Sequence, residues 1–261
     1  MQKFRLLGAF ASNILPTVNT LGNAVIVVDA NSGNDSSGKR GIWTKPYKTI
    51  SAALLVAEDQ DTIFIQPGVY TENLTMPGTF DNIRIRIVGI ERNSVVIRGT
   101  VTVGTYRYWH GAASNDATNL ALVIENVTID TVSGTTPPVS IAVGNAVKFR
   151  NCSITSNNSV IADIVGWDKP VLFESCFLFR KTGILLFNKT TSIAASVTFR
   201  NCHLRNNAAG VHSVVSGGNS GGRVTHFINC TSDSAFPAPS AELIIVNSVQ
   251  ITGSAYNLGW F

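Results

Sequence analysis

Phe149-Arg-Asn-Cys-Ser-Ile-Thr155, Phe173-Glu-Ser-Cys-Phe-Leu-Phe179 and Phe199-Arg-Asn-Cys-His-Leu-Arg205 are three versions of one seven-residue pattern. Working outward, the pattern recurs at Ile124-Glu-Asn-Val-Thr-Ile-Asp130 and Phe227-Ile-Asn-Cys-Thr-Ser-Asp233, with a weaker copy at Ile245-Val-Asn-Ser-Val-Gln-Ile251. Starts at 124, 149, 173, 199, 227 and 245 give intervals of 25, 24, 26, 28 and 18 residues. A period of this size marks a solenoid, whose units bury their apolar face only by stacking. It is also near the period of leucine-rich repeats, but their fixed Leu pattern is missing here. Hydrophobic residues make up 44% of the chain and charged residues 14%. That balance, with abundant Val, Ile, Thr, Asn, Ser and Gly, suits stacked strands and tight turns rather than helices. The expected fold is all-β, a single-stranded right-handed parallel β-helix with one coil per repeat.

Within the heptad the apolar positions are the first, fourth and sixth. Plain strand alternation would put the first, third and fifth on one face, so the parity slips at the third residue, where the chain must bend. That residue is Asn126, Asn151, Asn201, Asn229 and Asn247, with Ser175 as the exception. Asn tolerates the left-handed conformation better than other non-glycine residues, and stacked amides can bond to one another, so these positions read as an Asn ladder. The fourth position collects all four cysteines, Cys152, Cys176, Cys202 and Cys230. Thiols stacked along one line do not converge on a tetrahedral metal, and disulfides between adjacent coils would strain the ladder. A stack of buried free thiols is expected, with no metal, and it favours synthesis in a reducing cytoplasm over secretion. At the second position Glu125, Arg150, Glu174 and Arg200 alternate in sign and read as an exposed ion-pair ladder.

The net charge of +4 is small for 261 residues, and the Lys and Arg are scattered. No basic stripe follows, so nucleic acid is not an expected partner. No run is long and apolar enough for a membrane span. Leu6 to Ala11, after Lys3 and Arg5, is too short for a signal-peptide core. Residues 1–24 carry Leu6, Phe10, Ile14 and Leu15 and are expected to pack as an arm on this solenoid or on a neighbour.

The N-terminal third carries a family resemblance. Val27-Val-Asp-Ala-Asn-Ser-Gly-Asn-Asp35, Pro46-Tyr-Lys-Thr-Ile-Ser-Ala-Ala-Leu54 and Asp61-Thr-Ile-Phe-Ile-Gln-Pro-Gly-Val-Tyr-Thr-Glu-Asn73 resemble the opening of the pectin-lyase-like right-handed β-helix superfamily, in its short-repeat, non-pectinesterase branch. The resemblance implies a strand, a capping helix near residues 48–58 and then the coils. Helical spacing of Ile50, Ala53, Leu54 and Ala57 agrees with that helix. The division that follows is 1–24 arm, 25–60 strand and capping helix, 61–254 coils, and 255–261 apolar tail.

The resemblance implies architecture more than chemistry. The motifs that carry the Gln, two Asp and Arg of pectin methylesterases are missing: no Gly-Xaa-Thr-Ala-Xaa-Xaa-Gln, no Asp-Phe-Ile-Phe-Gly and no Gly-Arg-Pro-Trp occurs. Nor do the Asn-Thr-Asp and Asp-Asp pairs of polygalacturonase-type hydrolases. Asp130, Asp163, Asp168 and Asp233 are too scattered along the chain to assign the calcium ligands of a lyase, although Arg180, Lys181 or Arg205 could serve as its base. No catalytic residue, metal or cofactor is therefore assigned. Candidate contacts with a ligand or partner are the aromatic insertion Tyr106, Tyr108, Trp109 and His110, and the C-terminal Trp260 and Phe261. Two functions compete. The expected one is a non-catalytic structural protein of a virion or other large assembly, acting through protein contacts and self-association. Its alternative is a carbohydrate-active β-helix protein, a polysaccharide lyase or hydrolase or a glycan-binding module.

Overall fold

The structure is a computed structural model that describes residues 24–76, 84–103, 122–131, 136–142, 146–157, 161–165, 170–181, 185–190, 196–206, 213–217, 225–233 and 243–250. Its strands form three parallel sheets that the chain visits in turn. Sheet I has nine strands: Val25–Val28, Thr62–Ile65, Ile85–Gly89, Leu122–Glu125, Val147–Arg150, Val171–Glu174, Val197–Arg200, Thr225–Ile228 and Leu243–Val246. Sheet II has eight: Gly68–Tyr70, Val95–Arg98, Thr128–Asp130, Ser153–Ser156, Phe177–Arg180, His203–Asn206, Thr231–Ser232 and Val249–Gln250. Sheet III has six: Leu74–Thr75, Val101–Val103, Val139–Ala142, Ala162–Val165, Leu185–Thr190 and Ser213–Gly217. The architecture is a parallel β-helix.

Equivalent residues of successive coils lie in register, so each heptad position becomes a row along the solenoid. Position one points inward, and Phe149, Phe173, Phe199 and Phe227 are fully buried. Their rings stack at centroid separations of 5.0, 5.0 and 4.9 Å, nearly the spacing of the strands themselves. Earlier coils continue the row with Ile124, Ile87, Ile63 and Ile26.

The corner between sheets I and II is made by position three. Asn126, Asn151, Ser175, Asn201, Asn229 and Asn247 all have φ between 49° and 57°. Backbone pairing continues through the bend: the Asn151 N–H donates to the Glu174 carbonyl at 2.9 Å and the Asn201 N–H to that of Ile228 at 2.9 Å. The Asn151 amide also donates to Asn126 Oδ1 at 2.8 Å. Gly89 marks where the row begins, since a Cβ there would fall 2.2 Å from the Asn126 carbonyl oxygen.

Just past the corner the four cysteines turn inward, free and buried. Each thiol donates to backbone carbonyls, as from Cys202 to Phe173 at 3.3 Å and to Arg200 at 3.4 Å. Burial raises the Cys176 and Cys202 thiols well above their ordinary range. Bonding to Cys202, then burial, raises that of Cys230. These groups stay protonated and act as small apolar fillers.

At the N-terminal end a short helix, α1 (Ile50–Leu55), packs against the strands Val25–Val28, Thr62–Ile65 and Leu74–Thr75. It is shorter at both ends than the expected 48–58. Thr49 caps it by accepting from the Ala52 N–H, and the Glu72 carboxylate accepts from the Ile50 and Ser51 N–H groups. Ile50, Ala53 and Leu54 are buried against the solenoid core. No helix among the described residues is long and apolar enough to cross a membrane.

Candidate functional site

Heptad positions five and seven leave the corner onto sheet II and, by strand alternation, point away from the core, while position six points in. Ile129, Ile154, Leu178 and Leu204 of position six are fully buried. Position five forms the outer row Thr128, Ser153, Phe177, His203, Thr231 and Val249. Position seven forms Asp130, Thr155, Phe179 and Arg205, followed by Asp233. The coil before them adds Val96 and Arg98. All of these side chains are half-buried or exposed.

Three adjacent coils concentrate the aromatic and ionisable groups in a two-by-three array. The Phe177 ring stacks on the His203 imidazole, centroids 5.4 Å apart and planes 13° from parallel. Phe177 and Phe179 meet tilted at 6.3 Å, and the Arg205 guanidinium carbon lies 5.4 Å from the Phe179 centroid. His203 Nδ1 is 2.8 Å from Thr231 Oγ1, and Arg205 Nε is 3.9 Å from Asp233 Oδ2. Burial lowers the His203 pKa; Asp233 opposes this and Arg205 adds to it. The imidazole is therefore neutral near pH 7, free to stack and to hydrogen-bond. Partly exposed rings flanked by a guanidinium, an imidazole, a hydroxyl and a carboxylate suit a ligand that is apolar on its faces and polar at its edges.

The glutamates on the outer face of sheet I are paired by contrast. Glu125 accepts from Arg150 at 2.6 Å and from Arg86 at 3.3 Å, and Glu174 pairs with Lys148 at 2.5 Å and Arg200 at 3.8 Å. The Lys148 ammonium holds the Glu174 carboxyl below its ordinary range against the opposing effect of burial. Both glutamates of this face are committed to structural pairs. Lys148 takes a place in that network that the alternation of Glu125, Arg150, Glu174 and Arg200 alone did not reveal.

Among the acids read as scattered, Asp130 and Asp233 come to lie in one row of sheet II. Asp163 lies on sheet III, in register with Ser140 and Asn188. Arg180 ends the strand Phe177–Arg180, Lys181 follows it, and Arg205 belongs to the array. Tyr106, Tyr108, Trp109, His110, Asp168, Trp260, Phe261, most of the arm 1–24 and the tail 255–261 lie outside the described residues. Among the described residues no group of three His, Cys, Asp or Glu side chains could hold a metal ion. Sequence reading missed Phe177, Phe179 and His203 as a group. The signal was present in the fifth and seventh heptad columns, which hold large aromatic and ionisable residues where stacking alone requires none.

No family model matches the chain, and no curated protein matches it by sequence. Solved structures do match by fold. A pectin methylesterase from carrot is 19% identical, with a TM-score of 0.52 over 80% of this chain; the chain spans 63% of the carrot enzyme. A pectin methylesterase solved in complex with a hexasaccharide is 16% identical, with a TM-score of 0.50 over 89% of this chain and 91% of that one. These neighbours correct the expectation of a non-catalytic virion or assembly component, because they are carbohydrate-active enzymes rather than structural proteins. At these identities the likeness shows the fold alone, a right-handed parallel β-helix.

Proposed function

We propose that this protein is a carbohydrate-active β-helix protein that binds a polysaccharide along the outer face of sheet II. The observation that carries the reading is the juxtaposition of the Phe177–His203 stack with the Arg205–Phe179 contact on two consecutive coils. A glycan presents apolar C–H faces and a rim of hydroxyls, and this array offers rings for the first and polar groups for the second. The fold adds support, since it is shared with enzymes that act on pectin, one of them solved with a hexasaccharide. Strands in register give a straight track, on which successive sugars meet successive coils about 4.8 Å apart. No catalytic set is part of the proposal, because the methylesterase motifs are missing from the sequence.

The test is retention of the purified protein on a panel of immobilised neutral and uronic polysaccharides. Wild type is expected to be retained by at least one of them, and Phe179→Ala to weaken that binding by about tenfold or more, as loss of a stacked ring anchor costs ~1.4 kcal/mol or more. An Arg150→Ala variant, altered on sheet I, should bind as wild type does. Retention by none of the polysaccharides, or equal retention of Phe179→Ala, would contradict the proposal.

A further inference from the structure

The two sides of Phe177 and Phe179 differ. One side faces His203 and Arg205. On the other, the next coil carries only Ser153 and Thr155, and the coil beyond it Thr128 and Asp130. The outer rows thus drop abruptly from aromatic rings to short polar side chains over two strand spacings, about 10 Å. Val96 and Arg98 mark the far end of this step. Its back wall is the ring faces of Phe177 and Phe179, and its floor consists of hydroxyls and one carboxylate.

That carboxylate differs from the acids that are paired with cations. Glu125, Glu174 and Asp233 each face a cation, as do Glu58, Asp59 and Asp61 near the helix. Asp130 takes part in none of the described ion pairs, although Arg98 lies opposite it in register. Its Oδ1 is buried with no hydrogen-bond partner. An unpaired acceptor of this kind gains from a donor delivered to it. An ionised carboxylate is acceptor-only: it takes hydroxyl donors and repels a second carboxylate.

We infer that the step is a sugar subsite selective for neutral over uronate residues, with the pyranose face against Phe177 and Phe179 and its hydroxyls donating to Asp130. The inference rests on the polysaccharide-binding reading and adds to it the class of sugar. Arg205 lies on the other side of the rings, next to Asp233, so the charged groups of the step are Asp130 on its floor and Arg98 at its far end. Selectivity comes from one repulsive group rather than from added attraction.

A matched pair of ligands tests it: polygalacturonate fragments, and the same fragments after chemical reduction of each carboxyl to a primary alcohol. Titration calorimetry on the full chain is expected to show wild type binding the reduced form at least about tenfold more tightly. Asp130→Asn keeps the shape and removes the charge, and should shrink that ratio to less than about threefold, mainly by improving uronate binding. Asp130→Ser should do the same, and unchanged thermal unfolding of both variants shows that the fold is intact. Equal or tighter binding of the uronate form by wild type overturns the inference, as does an unchanged ratio in both variants or a failure to bind either form. Binding with the reverse preference leaves the polysaccharide reading standing. Failure on the whole panel, or equal retention of Phe179→Ala on it, removes both.

Discussion

Phe199→Ala is expected to destabilise the protein by about 3–5 kcal/mol, the range for removing a fully buried aromatic side chain. Phe199 makes the second and third of the three consecutive ring-to-ring contacts: Phe173 lies 5.0 Å away and Phe227 4.9 Å away. Truncation therefore opens a cavity bounded by two rings, each held by its own coil and unable to close the gap without breaking register with its neighbours. The contacts themselves add about 0.5–1.5 kcal/mol per pair beyond buried area. Phe199→Leu keeps most of the volume and should cost much less. Chemical denaturation with a two-state fit checks both variants; similar losses for Ala and Leu would show that the stack is not a determinant of stability.

The second large effect is expected at Asp61. Its side chain is fully buried, and both carboxylate oxygens are saturated. Oδ1 accepts from the Ala24 N–H at 3.0 Å and Arg40 Nη2 at 2.9 Å, while Oδ2 accepts from the Glu58 N–H at 2.9 Å and Arg40 Nε at 2.6 Å. This one residue ties the first strand, the loop before α1 and the turn after it to the start of the second coil. Asp61→Ala leaves two backbone donors without their acceptor and the Arg40 guanidinium with Glu58 alone. Breaking a buried pair from one side costs about 3–5 kcal/mol, and the partial exposure of Arg40 places the expected loss near 3 kcal/mol. Asp61→Asn should recover little, because its amide turns N–H groups toward N–H groups. Thermal and denaturant unfolding of both variants checks this, and a recovery by Asn close to wild type would contradict it.

Much of the architecture is legible in the heptad because each position answers to one local demand. Phenylalanine at position one, a residue tolerant of positive φ at position three and a small buried thiol at position four are each explained within a single coil. Ser175, the one departure from Asn, adopts φ 56° like its neighbours, so the corner is imposed by the coil and not by the amide. The ends of α1 were less legible. Asp61 draws the Glu58 N–H to its carboxylate, and Val56 already bonds back to Ala53, so the helix stops before the apolar spacing does.

The candidate site was hidden for a different reason. Asp130 and Asp233 are 103 residues apart, 233 minus 130, and only the inter-coil register places them in one row. Loops of unequal length between repeats obscure that register in the sequence. Positions five and seven also vary from coil to coil, since the fold asks nothing of them. That variation is what allows a particular surface to be built there, and it is why a search for repeated residues passes over it.

Carbene footprinting of the protein, with and without the polysaccharide that the panel retains, tests the central claim most directly. The account predicts that ligand protects the outward side chains of Ser153–Ser156, Phe177–Arg180 and His203–Asn206 and leaves Lys148, Arg150 and Arg200 on sheet I unchanged. Protection confined to sheet I, or spread evenly over both faces, would contradict it.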